Sequence, residues 1–385
     1  MNIVVDENIP LGKDAFSTLG NVSVLPGRQI SSSYLQEASA LIVRSVTSVN
    51  KKLLAGTPVK FVGTATAGID HIDQEYLNNQ QIGFADAAGS NANSVAEYVL
   101  TALAIIAQRF QISLKGKTLG IVGVGRIGRL VANHAKVLGM EVILNDPPLA
   151  RKSQDQCYRP LEEALQADFV TLHVPLINEG VDKTVHLIGE KKLAAMSSSS
   201  ILFNTCRGEV IDNHALLLAL KNQQIQGAVL DVWEGEPSIH WDLAHTATIA
   251  TPHIAGYSFD GKIKGTSMIY SAACDYFGIA PTWKFTEDAP PLSHPGNAIN
   301  AHGHNLEHLL VQLAPRLYDL QGDDTRMRSL LVLPMPQRPT RFDQLRRQYP
   351  KRREFYAFPL LLQDADPGVL SDLDQLGFSI HQFEK

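Results

Sequence analysis

Between Leu119 and Gly128 the chain reads L-G-I-V-G-V-G-R-I-G, which sets Gly123, Gly125 and Gly128 in the spacing G-x-G-x-x-G. An apolar run precedes the glycines, and a helix-forming pattern, Arg129-Leu130-Val131-Ala132, follows them. Such a turn suits the pyrophosphate of a dinucleotide. The first glycine permits the tight turn, the second lets backbone approach the phosphates, and the third lets helix pack on strand. The helix N-terminus adds free N–H groups and a positive dipole end, so Arg126 and Ile127 join the glycines as expected cofactor contacts.

Asp146 ends a second apolar run, Val142-Ile143-Leu144-Asn145, eighteen residues past Gly128. A carboxylate there accepts both adenosine ribose hydroxyls and repels a 2′-phosphate, which favours NAD over NADP. The plainer alternative is a solvated aspartate opening the Asp146-Pro147-Pro148 turn. Arg151 and Lys152 follow closely and soften the discrimination against NADP.

Three later segments carry reaction chemistry. In Phe203-Asn204-Thr205-Cys206-Arg207-Gly208 the arginine lies just past a strand's carboxyl end, where open α/β sheets bind ligands. Its guanidinium fork suits a carboxylate or an adjacent carbonyl oxygen. Asp231-Val232-Trp233-Glu234-Gly235-Glu236-Pro237 follows the next strand, and Thr251-Pro252-His253-Ile254-Ala255-Gly256 follows the last. Oxidising an alcohol by hydride transfer needs a base for the hydroxyl proton. His253 can serve near neutral pH, and a carboxylate such as Glu236 would hold its tautomer. Singly, an arginine reads as a surface charge and a histidine as a structural residue; together at strand ends they read as a site. Cys206 reads as a packing residue, since hydride transfer needs no nucleophile. His71, His173 and His186 lack ligand spacing, so no metal is expected.

Alternating strand and helix patterns must position these groups. Strands are expected at 2–6, 22–25, 40–44, 59–63 and 82–84, then at 119–122, 141–145, 169–172, 200–203, 227–231 and 247–250. Two βαβ series imply two parallel sheets. Ser94-Val95-Ala96-Glu97 has the form of a capping box, and the helix to Phe110 is apolar on most faces, as for burial between domains or subunits. Residues 286–305, with Pro290-Pro291 inside, read as a linker. The tail shows helix patterns near 306–320, 341–349 and 368–376 and strand patterns at 355–359 and 378–383. Its basic run, Arg346-Arg347 and Lys351-Arg352-Arg353, reads as a solvated face.

With 385 residues, 44% hydrophobic and net charge −5, the chain can build two or three cored domains and has no basic surplus for nucleic acid or an anionic membrane. Three scattered cysteines point to a reducing compartment, and the first residues read as a strand rather than a signal peptide, so a cytoplasmic location is expected.

The N-x-x-R-G, D-V-x-x-x-E-P and T-P-H-I-A-G segments resemble those of the D-isomer-specific 2-hydroxyacid dehydrogenases, over about residues 1–283. The resemblance implies that Arg207 holds the substrate carboxylate and carbonyl, that His253 is the acid/base, and that Glu236 partners it. Further segments are similar to a branch acting on a phosphorylated 2-hydroxy acid. They are Val4 to Pro10, Val43-Arg44-Ser45-Val46-Thr47, Gly63 to His71, Trp233 to Pro237, Gly256-Tyr257-Ser258 and Gly261-Lys262. That likeness implies substrate contacts from Ser45, Thr66, Arg207 and Tyr257. It implies NAD contacts from Asp146, Val174, Thr205, Cys206, Arg207, Asp231 and Gly256. A substrate phosphate also calls for a cation, for which Arg44 and Lys262 are nearest in sequence.

The fold so implied is α/β: a Rossmann-type NAD domain (93–255) inserted in a flavodoxin-like substrate domain (1–92 and 256–285), plus a small α+β C-terminal dimerisation domain (286–385). The activity so implied is NAD-dependent oxidation of a small phosphorylated 2-hydroxy acid by a homodimer, with no nucleic-acid or membrane partner. The alternatives are an enzyme for 3-phosphoglycerate, glycerate or glyoxylate, and an NAD-sensing binding protein of the same fold.

Overall fold

The sheets are built from short strands, and central ones are mostly apolar. In the computed structural model, which describes residues 1–285 and 298–382, Ala40–Val43 and Phe61–Thr64 are buried at every position. Continuous burial of this kind belongs to a parallel sheet covered on both faces. The chain divides into two units, Met1–Asn91 with Ser258–Pro290, and Ala92–Tyr257 with Pro291–Lys385.

In the first unit β1 (Asn2–Asp6), β2 (Asn21–Leu25), β3 (Ala40–Val43), β4 (Phe61–Thr64) and β5 (Gly83–Asp86) form a parallel sheet in the order β2-β1-β3-β4-β5. That is the flavodoxin-like order. Helix Phe259–Phe277 returns to this sheet and packs on β4 and β5. A Cβ at Gly63 would lie 2.2 Å from Ile269 Cγ2, so glycine is what lets helix and strand approach so closely. Ser258 caps the helix through Gly261 N–H, and Gly278 at φ +66 ends it.

The second unit holds β6 (Thr118–Val122), β7 (Glu141–Asn145), β8 (Phe169–Leu172), β9 (Ile201–Asn204), β10 (Gly227–Leu230) and β11 (Ile249–Ala250). They form a parallel sheet in the order β11-β10-β9-β8-β6-β7. A single parallel bridge from Leu144 to Tyr158 extends it beyond β7. The order reverses between β6 and β8, so the crevice beyond their carboxyl ends is the expected ligand position, and the glycine-rich turn opens there.

The C-terminal residues add β12 (Ala298–Asn300), β13 (Pro359–Gln363) and β14 (Ser379–Gln382), again parallel. Helix Leu306–Leu317 packs on helix Ala92–Phe110, and Leu309, Leu313 and Leu360 share one core with Val99, Leu103 and Ile106. The tail thus has its own sheet but no separate core from the NAD-binding residues.

Several expectations need correction. β12 begins inside the segment read as linker, whose Pro290-Pro291 lies outside the described residues. The strand expected at 355–359 begins at Pro359, after a short 3-10 turn at Phe355–Ala357. Residues 320–328, read without a helix beyond 320, form one. Ser94 and Glu97 are not a capping box. The helix starts at Ala92, and both side chains bond the C-terminal segment instead.

Candidate active site

The glycine-rich turn shows why its residues are small. Gly123 sits at φ +92, and a Cβ there would lie 2.6 Å from His173 O. At Gly128 a Cβ would meet Gly123 O at 2.1 Å, whereas at Gly125, the cap of helix Arg126–Val137, it would meet nothing within 4 Å. Two glycines therefore close the turn and one leaves its outer face open, as phosphate approach requires. Asp146 Oδ2 accepts from Val124 N–H at 2.8 Å, and Oδ1 accepts from Leu149 N–H at 2.9 Å. The carboxylate is thus fixed against the glycine-rich turn as well as capping helix Pro147–Ser153.

The dyad is assembled by two adjacent loops. Glu236 Oε2 lies 2.8 Å from His253 Nδ1, and Glu236 Oε1 accepts from Trp233 N–H at 2.9 Å. Burial opposes ionisation of Glu236, but His253, Arg346 and the Trp233 N–H outweigh it and hold its carboxyl below the usual range. An ionised carboxylate only accepts, so the proton of this bond is on Nδ1 and the lone pair falls on Nε2.

His253 has φ +58, in the left-handed region that costs a non-glycine residue on the order of 1 kcal/mol. Asp231 enforces it. His253 N–H donates to Asp231 O at 2.7 Å, and the buried carboxylate accepts from Ile254 N–H, Ala255 N–H and Thr251 Oγ1 at 2.8, 2.9 and 2.6 Å. Trp233, fully buried, donates Nε1–H to Thr251 O at 2.9 Å and so ties the same two loops together.

Arg207 reaches this neighbourhood through Gly208. A Cβ at Gly208 would fall 1.9 Å from the Trp233 carbonyl carbon, so the loop after β9 packs directly on the loop after β10. Arg207 Nη1 donates to Cys206 O at 2.7 Å. Cys206 is buried, and burial pushes its thiol up to about 11, which removes it as a nucleophile at neutral pH. Thr205 is buried beside it, 3.5 Å from His173 Nδ1, and Val174 follows β8 at the same edge.

Ser45 and Thr66 belong to the first unit. They follow the adjacent strands β3 and β4 at their carboxyl ends, Ser45 exposed and Thr66 bonded to Thr64 Oγ1 and Gly68 O. Arg44 donates to Asn8 O at 3.4 Å.

Sequence reasoning missed the C-terminal arginines. Arg346 Nη1 is 3.8 Å from Glu236 Oε2 and its Nη2 is 3.5 Å from Tyr257 Oη. Arg352 is buried. It pairs with Glu97 at 3.1 Å and donates to the carbonyls of Tyr257, Ala255 and Ser94. The basic run is therefore no solvated face: Arg346 and Arg352 turn inward to charged and carbonyl partners, while Arg347 remains 61% exposed.

The chain is similar to known proteins. The family described as "D-isomer specific 2-hydroxyacid dehydrogenase, NAD binding domain" matches residues 101–255, and a "Domain of unknown function (DUF3410)" matches residues 293–377. The chain is 42% identical over 380 residues to erythronate-4-phosphate dehydrogenase of Escherichia coli O127:H6, and equally to that of Shigella boydii serotype 4, covering 98% of either chain. Among solved structures, 3-phosphoglycerate dehydrogenase of Entamoeba histolytica with bound NAD+ is similar at TM-score 0.61 and 25% identity. That likeness covers 74% of this chain and 99% of the other. D-lactate dehydrogenase of Aquifex aeolicus, with NAD and lactic acid, is similar at TM-score 0.60 and 25% identity over 72% of this chain and 96% of its own.

Proposed function

This chain belongs to the D-isomer specific 2-hydroxyacid dehydrogenase family, and from that premise we propose that it oxidises 4-phospho-D-erythronate with NAD to 2-oxo-3-hydroxy-4-phosphobutanoate. The observation that carries the reaction class is the Glu236–His253 pair, set one loop from Arg207 on the edge where the glycine-rich turn opens. The same reading puts the step in the synthesis of pyridoxal 5′-phosphate.

Gly123, Gly125, Arg126, Ile127, Gly128 and Asp146 would hold NAD, with Val174, Thr205, Cys206, Arg207, Asp231 and Gly256 along the same edge. Bound there, NAD supplies the acceptor for the hydride that leaves C2. His253 Nε2 takes the C2 hydroxyl proton, and Glu236 stabilises the imidazolium that forms. Arg207 orients the substrate carboxylate, and Tyr257 offers a hydroxyl from the same unit; Ser45 and Thr66 of the first unit are assigned to substrate by the resemblance alone.

NADH formation across a panel of phosphorylated and plain 2-hydroxy acids tests the assignment. 4-Phospho-D-erythronate should give the highest kcat/KM. Preference for 3-phosphoglycerate, glycerate or glyoxylate would move the enzyme to another substrate, and NAD binding without any turnover would make it a sensor.

The protein acts in this reading as a cytoplasmic homodimer, the commonest closed assembly. No described helix is long and apolar enough to cross a membrane. Sedimentation at micromolar concentration should give about twice the chain mass; a monomer there would remove the dimer.

A further inference from the structure

Arg346 lies in helix Arg338–Arg347 of the C-terminal segment, yet its guanidinium stands beside the catalytic carboxylate. Its Nη1 faces Glu236 Oε2, the same oxygen that meets His253 Nδ1. Its Nη2 reaches Tyr257 Oη, and the guanidinium carbon lies 6.0 Å from the centre of the Tyr257 ring. Its Nε is buried with no hydrogen-bond partner among the described residues. A buried donor left unpaired is costly, which is unusual for a charge that serves packing alone.

We infer that Arg346 is a positioning residue of the dyad: supplied by the C-terminal segment, it counter-charges Glu236 Oε2 and so sets the proton affinity of His253. The inference rests on reading Glu236 and His253 as the catalytic pair. A carboxylate with only a histidine beside it draws the imidazolium strongly and slows its deprotonation. An arginine sharing the same oxygen weakens that pull and keeps His253 neutral, and so able to act as base, to lower pH. The two distances to Glu236 Oε2 place Arg346 Nη1 within about 7 Å of His253 Nδ1, close enough for its charge to act on the imidazole in a partly screened site.

Other charged and titratable groups surround the pair, Arg207 on the neighbouring loop among them. From the catalytic loops Asp231, Glu236, His253 and Tyr257 face the site. From the C-terminal segment Tyr349 packs edge-on against Tyr257 and donates to Asp323, which Arg326 neutralises. Arg352 is neutralised by Glu97. Arg346 is thus the cation that acts on Glu236 after His253 itself, and burial, which opposes its charge, is outweighed by Tyr257, Glu236 and Asp231.

The test compares full-length wild type with R346Q, R346M and R346K. R346M keeps the apolar stem against the Tyr257 ring, so a neutral variant remains that preserves packing. In protein labelled with carbon-13 at histidine Cε1, the His253 signal is assigned by its loss in His253→Gln and followed against pH. Both neutral variants should titrate His253 at higher pH than wild type, and the acid limb of kcat for oxidation should move up with it. R346K should return towards wild type. Superimposable His253 titrations in wild type and R346M, both folded, would overturn the inference even if the enzyme oxidises its substrate as proposed. A shifted titration in a protein that oxidises no acid of the panel would instead uphold the electrostatic role and overturn the assigned reaction.

Discussion

Glu236 and His253 meet at 2.8 Å through Oε2 and Nδ1, while the other Glu236 oxygen is pinned by Trp233 N–H at 2.9 Å. Both carboxylate oxygens are therefore committed before substrate arrives, and the imidazole is held with one tautomer. This is the geometry of a general base whose partner serves orientation and charge, not proton uptake.

His253→Ala should lower kcat on the order of a hundred- to ten-thousand-fold, with substrate affinity changing far less, because His253 meets a single hydroxyl. Steady-state kinetics against single-turnover binding separates the two. Near-wild-type turnover would refute the mechanism whatever the substrate. Glu236→Gln keeps the shape but loses the charge. In oxidation the active form has neutral histidine, so removing the anion that favours imidazolium moves the acid limb to lower pH. The maximal rate should fall too, since imidazolium forms during the step. A limb that rises on this substitution would contradict the pairing.

Arg207→Ala should damage binding and rate together. The carboxylate loses two charge-assisted hydrogen bonds of about 1.5–3 kcal/mol each, which predicts a fall in kcat/KM of roughly a hundredfold or more. Arg207→Lys should restore little, because a point charge cannot make the fork. Full rescue by lysine, read from kcat/KM, would remove the bidentate role.

The parts of this site that the sequence discloses are local. Gly123, Gly125 and Gly128 announce their turn because each has a steric reason within a few residues. Arg207, Glu236 and His253 announce theirs because each lies just beyond a short apolar strand. Gly208 and Trp233 go unread, since their role is to let two loops touch, which no single segment displays. Arg346 and Arg352 are misread because local charge density says surface, whereas their partners lie far away in sequence, 89 residues for Tyr257 and 255 for Glu97. β12 hides in a stretch rich in Pro, His and Asn because three residues pairing with a distant strand carry no periodicity.

Asp146→Ala should raise the KM for NAD about tenfold while changing that for NADP little, since NAD alone brings both ribose hydroxyls to the carboxylate. The aspartate also caps helix Pro147–Ser153, so some loss is local. Asp146→Ser keeps a capping oxygen and separates the two effects. A wild-type preference for NADP in paired titrations would sink the assignment.

Arg352, charge-paired with Glu97 of helix Ala92–Phe110, should prove the strongest single tie between the C-terminal segment and the catalytic loop. The side chains are 5% and 1% exposed, Nη1 lies 3.1 Å from Oε2, and the guanidinium carbon sits 4.2 Å from the Tyr318 ring centre. Two of its remaining donors hold the carbonyls of Ala255 and Tyr257, directly after His253. Removing one partner leaves the other charge buried and uncompensated, a cost of about 3–5 kcal/mol. Arg352→Ala should therefore lower the denaturation midpoint sharply and, at temperatures where it stays folded, lower kcat by loosening the histidine loop. Glu97→Gln should destabilise while leaving the carbonyl contacts of Arg352 in place, and so spare kcat relative to stability. Replacing both with Met should recover much of the stability but not the rate, since apolar side chains fill the space without holding the loop carbonyls. Urea unfolding paired with kcat across the four proteins decides it. If the double variant recovered full turnover, Arg352 would be a packing element with no part in shaping the catalytic loop.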